Sequence, residues 1–170
     1  LMYIKANAAV IYVTATQNPD SNKVINAIIG AASGDTVVIG EGTYYEVTST
    51  PYQWAGLTLT GKKITLVANP SAKTKPSIHL KNIILAGDGS GIILKGLNLV
   101  VRPYINGDYI FDLGSTLTNG KYIKVYDCVI DSALRGIRAD RATGKTYSMD
   151  TIIFQNVIWR HKIQASPTNP

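Results

Sequence analysis

One cysteine and two histidines in 170 residues remove several chemistries at the outset. Cys128 alone cannot close an intramolecular disulfide or supply a cysteine-rich zinc site, and it reads as a small buried apolar residue. His79 alternates with Ile78 and Leu80 as an outward strand residue, while His161 sits in a basic tail. Neither a metal site of paired histidines nor a Ser-His-Asp arrangement is expected, so the metal-site expectation is none. No apolar run approaches the roughly 20 residues that cross a bilayer, so no membrane span is expected. No secretory pattern opens the chain, and its first residue is Leu rather than Met, as in a mature or excised segment.

Acidic residues are also few. Eleven Asp and Glu face 17 Lys and Arg, a net charge of +6. Residues 1–120 hold nine basic against seven acidic residues, and residues 121–170 hold eight against four, so the basic character lies towards the C-terminal end. Such a balance favours acidic partners: nucleic acid, anionic lipid or a uronate-bearing polysaccharide. The basic residues lack interleaved aromatics, which argues against nucleic acid. An apolar fraction of 45% is enough to build a core, and it excludes a disordered chain.

Helical sequence is scarce too, with one convincing candidate in "DSNKVINAIIGAASG". Asp20 or Ser21 can cap it, Val24, Ile25, Ile28 and Ile29 recur at helical spacing, and Gly34 terminates it. Beyond Gly34 the chain is a series of short β runs cut by Gly, Asn, Asp and Pro. "VVIG", "ITLVAN", "IILKGL", "IKVYDC" and "IIFQNV" start at residues 37, 64, 92, 123 and 152, spacings of 27, 28, 31 and 29. Between them lie "TYYEV", "LTLT", "SIHL", "NIILA", "YIFDL" and "GIRA". Two or three strands per period, with no helix to make a crossover, can pair in parallel only if the chain winds round and returns one level up. The spacing therefore predicts an all-β, right-handed parallel β-helix of about five rungs over residues 36–159. A capping helix at about 21–33 covers its N-terminal end, and residues 1–170 form one domain, read as the N-terminal part of a longer solenoid.

Alternation assigns faces. Ile64 and Leu66, Ile92 and Leu94, Ile123 and Val125, and Ile152 and Phe154 point inward; Gly96, Asp127 and Asn156 share a tight, left-handed bend. No helix comes after Val157, so the last rung is expected to be covered by a partner, a folded-back tail or further chain.

"VINAIIGAASGDTVVIGEGTYYE", "KKITLVANPSAKTKPSIHL", "IILKGLNLVV" and "VYDCVIDSALRGIRA" resemble the N-terminal part of the pectate-lyase-like right-handed β-helix superfamily. The last two are similar to β-helix domains among the polysaccharide-utilisation proteins of gut Bacteroidetes. The resemblance covers roughly residues 9–159. It implies a protein that is extracellular, periplasmic or on the cell surface and that meets carbohydrate. Lyases of the superfamily abstract a proton beside a uronate carboxylate with Lys or Arg, often with calcium held by several carboxylates. Carboxylates here are sparse and scattered, so no cofactor is expected and calcium is the one the resemblance leaves to consider. Pectin methylesterases share a similar opening, but their Gln-Asp-Thr-Leu-Tyr motif has no match.

Outward positions are where a glycan would be met. Val67, Lys95, Tyr126 and Gln155 form one column, with Thr65, Ile93, Lys124 and Ile153 beside it. Cation, ring and amide at a repeat of about 4.8 Å can follow a sugar chain, although side chains on a strand face are more often simply solvated. Ile93 and Ile153 suggest that part of this face is covered. "ALRGIRADRATGK" adds Arg135 and Arg138, whose guanidinium groups can clamp a carboxylate, against the plainer reading of a solvated basic loop. Asp108 and Asp112 are an acid pair only if "NGDYIFD" is extended, and "AGDGSG" reads as a tight turn rather than an ion loop.

The candidate substrate-binding set is thus Lys95, Lys124, Tyr126, Arg135, Arg138 and Gln155, and no catalytic residue is assigned. The leading reading is an exported carbohydrate-binding or glycan-processing module for an acidic polysaccharide. The alternatives are a polysaccharide lyase acting by β-elimination on uronates and a structural or adhesive solenoid.

Overall fold

The structure is a computed structural model that describes residues 8–16, 20–47, 54–101, 109–133, 135–139 and 146–160. Strands β1 (Val10–Val13) and β2 (Asp20–Ser21) and helix α1 (Lys23–Gly30) make an incomplete first turn. Four complete coils of three strands are stacked on it. They are β3 (Thr36–Ile39), β4 (Thr43–Tyr45) and β5 (Leu57–Thr60); β6 (Lys63–Ala68), β7 (Ser77–Leu80) and β8 (Ile83–Ala86); β9 (Gly91–Lys95), β10 (Asn98–Val101) and β11 (Tyr109–Leu113); and β12 (Asn119–Tyr126), β13 (Val129–Asp131) and β14 (Arg135–Ala139). Strands β15 (Ser148–Gln155) and β16 (Ile158–Arg160) begin a fifth.

Equivalent strands of successive coils pair in parallel, giving a first sheet β1-β3-β6-β9-β12-β15, a second β2-β4-β7-β10-β13-β16 and a third β5-β8-β11-β14. This is the parallel β-helix that the period implies. The inward ladder is in the expected register, with Ile64, Ile92 and Ile123 stacked and Leu66, Leu94 and Val125 beside them, all fully buried. Ile78, Leu80, Leu99 and Ile130 from the second sheet and Leu57, Leu85 and Phe111 from the third close the core. Truncating one such leucine to alanine costs roughly 2–5 kcal/mol in comparable cores. Cys128 is buried, in line with its sequence context, its sulfur 3.5 Å from the Leu97 amide one coil below.

The N-terminal end departs from expectation in three ways. β1 precedes the helix and pairs with β3, so the first tier is a strand outside the five-run pattern. The helix is shorter than 21–33, and Asp20 and Ser21 belong to β2 instead of capping it. Its start is capped from a distance: the Val24 and Ile25 amides donate to the Glu46 carboxylate at 3.2 and 3.0 Å. Burial pushes the Glu46 carboxyl up against the opposing pull of those two amides. At the other end Lys62 Nζ donates to the carbonyls of Ile29 and Ala31 at 3.0 and 2.8 Å, which satisfies acceptors the helix cannot. α1 comes after β2 as β5 comes after β4, and it packs on β1, β3 and β5 with Val24 and Ile28 buried. It therefore plugs the core in place of a third strand.

The other end is open among the described residues. Ile152 (48%), Phe154 (41%), Ile158 (54%) and Trp159 (39%) are exposed, whereas Ile123 and Val125 one coil earlier are fully buried. Gly136, Ile137, Phe154, Val157 and Trp159 line an apolar bowl of about 520 Å³ there. The tail "HKIQASPTNP", which would supply a folded-back cover, lies outside the described residues.

Two corners hold the coils. Between the first and second sheets Gly96, Asp127 and Asn156 have φ of 72°, 53° and 53°, the left-handed bend expected, and Asn156 Nδ2 donates to Asp127 Oδ1 at 3.1 Å. Between the third and first, "AGDGSG" is a turn. Asp88 accepts hydrogen bonds from the Thr118 amide and hydroxyl, both 2.7 Å, and from the Asn119 amide at 2.9 Å. Those donors hold its carboxyl at about 2, below the ordinary value.

Both corners can be tested by substitution. Gly96→Ala places a Cβ 3.2 Å from that of Ala68 at a positive φ, and denaturant unfolding is expected to show a loss of about 1–2 kcal/mol. Asn156→Gly at the equivalent bend should change stability by less than about 1 kcal/mol. Asp88 titrates lower in the folded chain than the roughly 3.9 of a free aspartate, so the unfolded chain binds more protons in between. Stability from this group is present above about pH 4 and lost as pH falls through about 2; acid unfolding of Asp88→Asn should lack that component.

Candidate functional site

The outward column of the first sheet forms as predicted. Val67 pairs with Lys95, Lys95 with Tyr126 and Tyr126 with Gln155, so the three polar side chains rise one coil at a time. Lys95 and Gln155 are exposed and Tyr126 is half-buried. Lys124 stands in the neighbouring column between Ile93 and Ile153, all three half-buried.

A third column was not anticipated: Lys63, Gly91, Tyr122 and Thr151. The Tyr122 ring lies against Gly91, where an added Cβ would sit 3.0 Å from it. Lys124 Nζ lies 5.1 Å from the centre of that ring, a cation–π contact that places the ammonium on the wall. Burial pushes the Tyr122 phenol up. The signal was a glycine one coil before a tyrosine, legible only once the register is known.

The two arginines lie elsewhere. Arg135–Ala139 is strand β14 of the third sheet, so Arg135 and Arg138 project from a strand rather than from a solvated loop. Arg138 lies over the Tyr109 ring, 4.9 Å from its centre, and donates to the Tyr109 phenol oxygen. Across the ladder Arg138 faces Asp112, and Arg135 faces Tyr109. A guanidinium stacked and hydrogen-bonded in this way is oriented before any ligand arrives, which is what bidentate recognition of a carboxylate requires. Asp108, the other half of the acid pair, and Arg141 and Lys145 of the basic run lie outside the described residues.

The six predicted residues therefore divide between two walls. Lys95, Tyr126 and Gln155 share a column with Lys124 alongside; Arg135 and Arg138 occupy another sheet. No group of three or more His, Cys, Asp or Glu that could hold a metal occurs among the described residues.

The sequence matches no protein-family model and no curated protein. Among solved structures, the chain is similar to a PL6 family alginate lyase, AlyGC, with a TM-score of 0.65 at 16% identity over 91% of this chain. A mutant of the same enzyme gives 0.60 at 16% identity over the same share. The likeness is one of fold, a parallel β-helix shared with those lyase structures. The chain spans 20% of the length of those lyase chains.

Proposed function

We propose that this chain is an exported β-helix module, extracellular, periplasmic or on the cell surface, that holds an acidic polysaccharide along its outer wall as part of glycan processing. The in-register column of Lys95, Tyr126 and Gln155, with Lys124 set over Tyr122, carries this reading. Parallel coils repeat at about 4.8 Å, so cation, ring and amide present a periodic edge to a periodic polymer. The ammonium groups meet carboxylates and the rings meet the C–H faces of sugars. The fold likeness to a polysaccharide lyase supports the same substrate class. Calorimetric titration with alginate, polygalacturonate and chondroitin should find binding to at least one that weakens with salt. Surface cations contribute about 0.2–1 kcal/mol each, so Lys95→Ala with Lys124→Ala should weaken it by about two- to thirtyfold.

A lyase is the second reading, favoured by the preset Arg138 beside the Tyr109 phenol. β-Elimination needs a cation to hold the uronate carboxylate as negative charge builds on it and a group to move the proton. Arg138 is offered for the first role. Unsaturated product, detected by its ultraviolet absorbance and lost in Arg138→Ala, would establish it. The exposed end favours a partner as well: Phe154 and Trp159 suit burial against another β-helix surface. Light scattering would then show association that resists salt and disappears in Phe154→Asp.

A further inference from the structure

We infer that the outer face of the second sheet carries a separate subsite for a neutral sugar. At the corner between the first and second sheets lies a cleft of about 550 Å³, lined by Thr16, Glu41, Thr43, Thr74, Lys75 and Ser77 among others. That is within the size range of small-ligand sites, and a hydroxyl-rich lining suits a hydroxyl-rich guest.

Its floor is built from two strands in register. Thr43 of β4 pairs with Ser77 of β7, and two residues further along the same outward face Tyr45 pairs with His79. The Tyr45 and His79 rings are 4.4 Å apart, and Trp54 meets them edge-on at 6.2 and 5.3 Å. All three are half-buried and lie beside the cleft rather than in its lining, two residues along the strands from Thr43 and Ser77 in the case of Tyr45 and His79, so an aromatic surface that reaches solvent adjoins the polar floor. Ring faces and edges of this kind pack on the C–H surface of a pyranose.

The polar groups are already oriented. Ser77 Oγ accepts from Asn98 Nδ2 at 3.2 Å and lies 3.3 Å from His79 Nε2, so its position is fixed from two sides. Glu41 accepts from the amides of Lys73 and Thr74, which fixes its carboxylate at the cleft wall. Lys75 reaches from the same loop to the carbonyl of Asp127. The lining itself holds one acid and one base, with Lys23 donating to Thr16 Oγ1 at 3.0 Å at its edge; its recognition groups are mostly hydroxyls, unlike the cations of the first-sheet wall, and this favours a neutral sugar over a uronate. Beyond His79 the column continues as Val100, Asp131 and Arg160, so the aromatic surface stops after two coils. It has room for a chain end or a branch, not for a long polymer.

This inference rests on the glycan reading above but on no residue of the first-sheet wall, and one experiment separates the two. The whole protein is titrated calorimetrically with cellohexaose, mannohexaose and maltohexaose, and in parallel with hexamannuronate and hexagalacturonate. At least one neutral hexasaccharide should bind in the millimolar range or tighter, with affinity lowered roughly tenfold or more in Ser77→Ala and Trp54→Ala and unchanged in Lys95→Ala. Should either subsite variant fail to fold by circular dichroism, Thr74→Lys, exposed at the cleft, must block binding by bulk alone. Absence of binding by all three neutral probes, or binding that survives these substitutions, overturns the subsite. Binding of the uronates alone, weakened in Lys95→Ala with Lys124→Ala, would uphold the wall and overturn the subsite.

Discussion

Hydrogen bonds running along the axis, from each coil to the one above, are the constraint on which every other feature depends. Because the strands are parallel and in register, each side chain sits over its counterpart one coil away, and an inward isoleucine can neighbour only another inward residue. The same rule applies outside the core. Lys95, Tyr126 and Gln155 form a column because Ile92, Ile123 and Ile152 do; function on the wall borrows its spacing from packing within.

A stack of this kind has to be started and its corners held. The start is made by residues from later coils. Glu46 receives the Val24 and Ile25 amides of α1 and Lys62 caps its last carbonyls, so the plug depends on the first coils for its end caps. The corners use different devices. A left-handed residue serves the bend after the first sheet, and a carboxylate gathering three donors from the next coil serves the one before it.

The parts legible in the sequence were those governed by local alternation and a near-constant period. The five runs, their inward faces and the bend shared by Gly96, Asp127 and Asn156 could all be read because each depends on neighbours two residues apart or on one repeat. The first strand escapes that pattern because "VIYV" precedes the helix and lacks a turn at the expected distance. Asp20 and Ser21 look like the cap because capping is normally local; Glu46, over 20 residues away, leaves no local trace. Within the candidate site the Lys95 column was readable, but Tyr122 over Gly91 and Arg138 over Tyr109 are contacts between coils whose register loops obscure. In the basic run the alternation of "GIRA" marks a strand, which forms as β14, while the charge around it suggests a solvated loop for the arginines.

The clamp on α1 makes the molecule mechanically polar. Fastened at one extremity and, among the described residues, exposed at the other, such a stack behaves like a zipper: nearest-neighbour cohesion favours unravelling from the less fastened side. Pulling or proteolysis would shorten it in steps of one coil, each remnant exposing the same kind of greasy rim as the last. Attachment of anything to that rim therefore does more than add area, because it shields the least buried rung among the described residues.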